Sequence, residues 1–143
     1  MAEFIAIPIQ EIAIGQNVLL EDSIPCNKGY VIHRNGSGIL TLRGVVNNPT
    51  SCFARYQVTF NANIAVPEDG TAGEISVSIA QNGEALQSSL AIVTPAAVDE
   101  YFNVTSTAFV TVPRGCCYSI AVENTSDQAI NVANANLVIT RTA

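Results

Sequence analysis

Phe53-Ala54-Arg55-Tyr56-Gln57-Val58-Thr59-Phe60-Asn61-Ala62-Asn63-Ile64-Ala65-Val66 decides the fold. Tyr56, Val58, Phe60, Ala62, Ile64 and Val66 recur every second residue, with Arg55, Gln57, Thr59, Asn61 and Asn63 between them. Side chains alternate across a strand, so this pattern predicts a long strand with one apolar and one polar face. Pro67-Glu68-Asp69-Gly70 closes it with turn residues.

The same period runs outward in both directions. Downstream, Ile75, Val77 and Ile79 alternate with Ser76, Ser78 and Ala80, and Asn82-Gly83 predicts a tight hairpin into residues 85–92. Residues 101–112 and 118–122 read as further strands, and a last strand covers 134–140. Pro95-Ala96-Ala97-Val98-Asp99-Glu100 is the one stretch that reads as a short helical turn. Upstream, residues 29–34 and 39–43 form a strand pair around Asn35-Gly36-Ser37-Gly38, and residues 47–51 form a loop. Ile5, Ile7 and Ile9 alternate near the start, and Pro8 marks an edge or a strand end. About nine or ten short strands without a 3.6-residue period predict an all-β, antiparallel sandwich or barrel in a single domain. Residues 1–15 form an N-terminal arm or added edge strand, and residues 16–143 form the domain.

Composition narrows the function. The 143 residues are 48% hydrophobic and 13% charged, with a net charge of −6. Six dispersed cations do not make the basic patch that nucleic acid requires. No run of 18 apolar residues spans a membrane, and the N-terminus has no secretory signal pattern. A whole gene product made in a cytoplasm is therefore expected. His33 is the one histidine, and no Gly-x-Ser-x-Gly nucleophile motif occurs, so no enzymatic activity is expected. Glu68-Asp69 and Asp99-Glu100 could offer oxygen ligands to Ca²⁺, but they lack a dense calcium-loop array and read as solvated turn charges. No metal or cofactor is expected.

Cys26, Cys52, Cys116 and Cys117 contain no CxxC pair. They read as free small hydrophobes, with a Cys26–Cys52 disulfide or an intersubunit bridge as alternatives. On a strand, Cys116 and Cys117 would face opposite ways. The Asn-x-Ser/Thr triplets at Asn35, Asn103 and Asn124 read as chance, given the Asn and Thr richness.

Four segments carry a family resemblance. Arg55-Tyr56-Gln57-Val58-Thr59-Phe60-Asn61-Ala62 resembles the aromatic strand of the C1q/TNF-like jelly roll. Ile75-Ser76-Val77-Ser78-Ile79, leading into Asn82-Gly83, resembles a strand and turn of that jelly roll. Val112-Pro113-Arg114-Gly115, leading into Tyr118-Ser119-Ile120-Ala121-Val122-Glu123-Asn124, resembles its penultimate strand. Ala135-Asn136-Leu137-Val138-Ile139-Thr140-Arg141 resembles its last. The match is to the bacterial and phage branch, which includes the head of the collagen-like spore-surface protein BclA. It covers roughly residues 29–141. A collagen stalk is missing, residues 45–54 form extra loop, and Cys116-Cys117 lies outside the pattern.

The resemblance implies a jelly roll that assembles as a homotrimer. It puts Tyr56, Val58 and Phe60, or Leu137 and Ile139, near the trimer interface; the competing reading is that they fill the sandwich core. Its phage members point to a structural virion protein, a capsid decoration or head-fibre protein of a tailed bacteriophage on the virion surface. Its partners would be the phage major capsid protein or other virion subunits. Phe4, Ile5, Ile7 and Ile9 would then be the capsid-docking arm. The alternative is a receptor- or glycan-binding head module or a spore-surface protein, with a surface glycan as partner.

Overall fold

The computed structural model describes residues 2–22, 31–34, 36–44 and 52–142. Twelve strands lie within them: β1 (Ala2–Ala6), β2 (Gln10–Ile12), β3 (Glu21–Asp22), β4 (Val31–His33), β5 (Leu40–Arg43), β6 (Phe53–Ala65), β7 (Ile75–Gln81), β8 (Glu84–Ala85), β9 (Ala91–Val93), β10 (Phe102–Pro113), β11 (Cys117–Asn124) and β12 (Ile130–Arg141). The first sheet has the order β10-β6-β12-β1-β3, with β2 also on β12. The second has the order β4-β5-β11-β7-β8, with β9 also on β7. From β5 onward each long strand crosses to the opposite sheet before the chain returns, and every pairing is antiparallel. This is an all-β jelly-roll sandwich.

The alternation read in the sequence decides which face each strand buries. On β6, Ala54, Tyr56, Val58, Phe60, Ala62 and Ile64 point to the opposite sheet and are buried. On β10 the same role falls to Val104, Ser106, Ala108, Val110 and Val112, and on β12 to Leu137 and Ile139. Leu40, Leu42, Ile75, Val77, Ile79, Ile120 and Val122 meet them from the second sheet. A buried apolar side chain of this size contributes roughly 1.5–3 kcal/mol. These rows therefore hold the sandwich together.

Buried polar groups within the sandwich find partners. The Tyr56 hydroxyl donates to the Arg43 carbonyl at 2.5 Å. Ser89 Oγ accepts from the Ile79 N–H at 3.0 Å, and Ser106 Oγ donates to the Ser89 carbonyl. Among the described residues the exception is Ser78, whose buried Oγ has no hydrogen bond to any of them. An unmet buried hydroxyl costs on the order of 1–3 kcal/mol. Ser78→Ala is therefore expected to stabilise the protein by about 1 kcal/mol and raise its melting temperature by roughly 3–5 °C. Calorimetry checks this, and a lowered melting temperature would contradict it.

Two local expectations change. Residues 95–100 form no helix; the one helical turn among the described residues is a 3₁₀ turn at Gln87–Ser89. The Ala-rich stretch instead crosses the sandwich end, where the Asp99 N–H donates to the Val66 carbonyl at 2.8 Å. The last strand begins at Ile130, earlier than the alternation suggested, because a bulge between Ala133 and Asn136 shifts the period. Asn134 takes the bulge with φ +54°. The Asn82-Gly83 hairpin forms, with φ +52° and +85°, the signs a type I′ turn needs. The returning segment is not one strand over 85–92, however: β8 ends at Ala85 and the 3₁₀ turn separates it from β9. The Asn35 turn residue and the 47–51 loop lie outside the described residues.

Residues 2–15 do not stand apart from the domain. β1 lies inside the first sheet, between β12 and β3, with Phe4 opposite Leu137. Phe4 is buried in the core, and its ring meets His33 edge-on at 4.7 Å.

Candidate binding surfaces

Because the apolar rows point inward, the outward rows of the two sheets are what the molecule presents. Tyr56, Val58, Phe60, Leu137 and Ile139, the residues expected near a trimer axis, are all 0–1% exposed within one chain. They face the opposite sheet, and the intervening residues form the outer face. Of the expected docking arm, Phe4 is in the core, Ile5 is half-buried on the outer face, and Ile7 and Ile9 are exposed.

The outer face of the first sheet is nearly free of charge at its centre. Its rungs run Asn103–Asn63, Thr105–Asn61–Asn136–Ile5 and Thr107–Thr59–Val138–Glu3 across β10, β6, β12 and β1. The side chains are stitched to one another. Asn103 Nδ2 donates to Asn63 Oδ1 at 3.2 Å, Asn63 Nδ2 to Asn134 Oδ1 at 3.2 Å, and Thr105 Oγ1 to Asn61 Oδ1 at 3.1 Å. Thr59 and Thr107 hydroxyls lie 3.3 Å apart, and Asn136 Nδ2 donates to Glu3 Oε2 at 2.8 Å. Ordered cross-strand pairs of this kind lose little freedom when a second surface covers them. Toward one end the face turns apolar. Phe109 is 51% exposed, and the Arg55 guanidinium sits over its ring, 4.6 Å from the centroid.

The outer face of the second sheet carries a groove of about 370 Å³ over β11. Its floor is Ser119, Ala121 and Ala80; Gly15, Asn17 and Ile39 form one wall, and Asn82, Gly83 and Glu123 complete the rim. The wall exists because residues 15–18 pair with the end of β11 beyond the reach of β5. Val18 N–H donates to the Val122 carbonyl at 2.9 Å, and Asn17 bridges Glu123. Asn82 is set by its hairpin, and its Oδ1 accepts from the Ser119 N–H at 2.9 Å.

A second, more open cavity of about 570 Å³ lies at one end, lined by Glu11, Pro67, Glu68, Asp69, Asp99 and Asn131. The two acidic turns read separately in the sequence thus share one cavity. Among the described residues, no group of three His, Cys, Asp or Glu side chains could hold a metal ion.

The remaining candidates have structural settings. His33 packs on Phe4, with Nε2 2.8 Å from the Ser37 carbonyl. Cys52, Cys116 and Cys117 are free, exposed thiols. Only Cys117 lies on a strand; Cys116 belongs to the turn before β11, so strand alternation does not govern the pair. Cys26 and Asn35 lie outside the described residues. Asn103 is exposed, whereas Asn124 is buried with its amide donating to three backbone carbonyls.

None of the groove residues was singled out for binding by the sequence. Asn17, Ile39, Asn82, Ser119 and Glu123 come from segments that only the fold brings together. The two Asn-Gly turns were the nearest signal, since Asn82 opens one of them.

No family model matches the sequence, and no curated protein matches it. Solved structures match over nearly the whole chain. The globular domain of zebrafish complement 1qA protein superposes with a TM-score of 0.60 at 12% identity, covering 96% of each chain. Murine APRIL superposes with a TM-score of 0.57 at 10% identity, covering 95% of this chain and 97% of that one. The two-sheet order, the crossing pattern and these superpositions agree: the chain has the C1q/TNF-like jelly-roll fold.

Proposed function

We propose that the protein is a non-catalytic binding head that works as a homotrimer, engaging a receptor or glycan through the sheet that faces away from the subunit contacts. The observation that carries this is the difference between the two outer faces. One is an uncharged, internally hydrogen-bonded Asn/Thr surface that a second copy can cover. The other holds a groove with polar rim groups. A capsid-decorating role has no feature of the fold that singles it out. Of the expected docking residues, Phe4 and Ile5 are built into β1 within the sheet, with Ile7 and Ile9 alone exposed. The binding reading is therefore preferred.

Light scattering tests the assembly. The wild-type protein is expected at three times its 15.1 kDa chain mass at micromolar concentration. Thr59→Arg, in the middle of the uncharged face, is expected to give a folded monomer. On an array of immobilised receptors and glycans, the monomer should be retained about 100-fold less well, because avidity is lost. A monomeric wild type, or a wild type that no immobilised ligand retains, overturns the reading.

A further inference from the structure

We propose that the groove over β11 is a saccharide site, taking one neutral pyranose ring; this rests on the binding-head reading and gives it a ligand class. Four observations carry the inference.

The first is room. Ala80 and Ala121 on the floor and Gly15 and Gly83 at the rim leave about 370 Å³ open. That lies in the lower part of the roughly 300–1,000 Å³ range of small-molecule sites.

The second is a set of polar groups with hydrogen-bonding capacity left over among the described residues. The Glu123 carboxylate has no hydrogen bond or ion pair with any described residue, and neither has the Asn17 side-chain amide. Asn82 is half-committed. Its Oδ1 is held by the Ser119 N–H, which turns the NH₂ group away with both its hydrogens unused. Vicinal sugar hydroxyls both donate and accept. A carboxylate that accepts, facing amides that donate, matches them group for group.

The third is charge. Among the described residues, Glu123 is the one charged residue of the lining, and no Lys or Arg stands there. In a chain of net charge −6 this disfavours sialic acids, uronates and phosphates. The fourth is an apolar wall. Ile39 is 53% exposed beside the groove and gives the C–H face of a ring something to pack on.

The backbone of the rim is set before a ligand arrives, at Asn17 through its bridge to Glu123 and at Asn82 through the hairpin. The Asn82 side chain is already oriented by the Ser119 N–H, whereas the Asn17 and Glu123 side chains order on binding. A single shallow site of this kind binds weakly, so three copies on one head would supply the working affinity.

Saturation-transfer NMR and titration calorimetry on the intact protein test this. The probes are methyl glycosides of glucose, galactose, mannose, fucose and N-acetylglucosamine, with N-acetylneuraminate and glucuronate as anionic comparisons. At least one neutral glycoside is expected to bind, and neither acid. Glu123→Gln should weaken binding about tenfold, the worth of one charge-assisted hydrogen bond. Asn82→Asp keeps the turn and the Oδ1 acceptor but removes the NH₂ donors, and should weaken it similarly. Ala121→Leu fills the floor and should abolish binding. All three variants should melt close to the wild type. Binding that survives both Glu123→Gln and Ala121→Leu, a preference for the acids, or no bound glycoside at all overturns the saccharide site. Trimer mass and retention on immobilised receptors would still decide the binding-head reading on their own.

Discussion

A variant lacking residues 2–15 is expected not to fold. The deletion removes β1 and β2, both of which pair with β12, and so strips one whole side of a central strand. It also removes Phe4, Ala6 and Ile12 from the core. Phe4→Ala alone should cost about 3–5 kcal/mol, the range for truncating a buried aromatic. A domain has roughly 5–15 kcal/mol in total. Losing that ring together with Ile12 and a strand's hydrogen bonds therefore exhausts the stability. The variant should show no cooperative thermal transition and should expose β12 to edge-to-edge association. Ile7→Ser and Ile9→Ser sit in the same segment but are exposed, and should change stability by no more than about 0.5 kcal/mol. A deletion variant that melts like the full chain would contradict this account of β1. Loss of folding, conversely, would leave no separable arm to dock on a capsid.

That contrast explains what the sequence could and could not say. Alternation in residues 53–66, 75–79 and 102–112 depends on local geometry alone, so it identified strands and their buried faces directly. It does not reveal which strand lies next to which. Ile5, Ile7 and Ile9 alternate, and Pro8, read as an edge or a strand end, does lie in the break between β1 and β2. The period says nothing of partners, however, and one of the two strands beside β1 is β12, more than 120 residues away. Period also cannot separate a core face from an interface face. The family resemblance puts Tyr56 and Leu137 near a trimer interface, with the sandwich core as the competing reading, and within one chain both lie in the core. The Asn and Thr row between them is what that sheet presents outward. The groove was less legible still. Its residues are ordinary one by one, and their meaning comes from Asn17 crossing β11 where β5 ends.

The low charge of the chain takes on a physical sense in this light. Outward rows such as Asn61, Asn63, Thr105 and Thr107 bond to one another rather than repel or attract through charge. Such a surface keeps its order when salt changes, since screening acts on charges.

Asn124→Ala is expected to be the most damaging polar-to-Ala substitution, at about 3–5 kcal/mol. Asn124 ends β11 and is 1% exposed. Its Nδ2 donates to the Ile12 and Gln128 carbonyls at 3.0 Å each and to the Ala13 carbonyl at 3.3 Å. Its Oδ1 accepts from the Ser126 N–H at 2.9 Å. The main chain of the same residue is tied in as well, receiving the Gly15 N–H and donating to the Gln16 carbonyl. The side chain thus joins the end of β2 to the turn after β11, and the main chain of the same residue holds the wall of the groove. Next to it, Ser126 Oγ accepts from the Ser76 N–H at 2.8 Å and donates to the Ser76 carbonyl at 3.0 Å. Truncation leaves three carbonyls and one N–H without this partner, in a place with little access to water. Asn124→Asp separates the donor role from the acceptor role. It keeps an oxygen for Ser126 N–H but turns the other end into an acceptor facing three carbonyls. At neutral pH it should be at least as damaging as Ala. Those carbonyls disfavour the charged carboxylate, so the folded-state pKa would lie above the ordinary Asp value of about 3.9. The folded state then binds more protons than the unfolded one, and stability rises as pH falls. The defect of Asn124→Asp relative to wild type should therefore shrink on acidification, whereas that of Asn124→Ala should stay constant. Urea unfolding of both variants across pH measures the difference, and parallel profiles would show that the donor role of Asn124 had been misassigned.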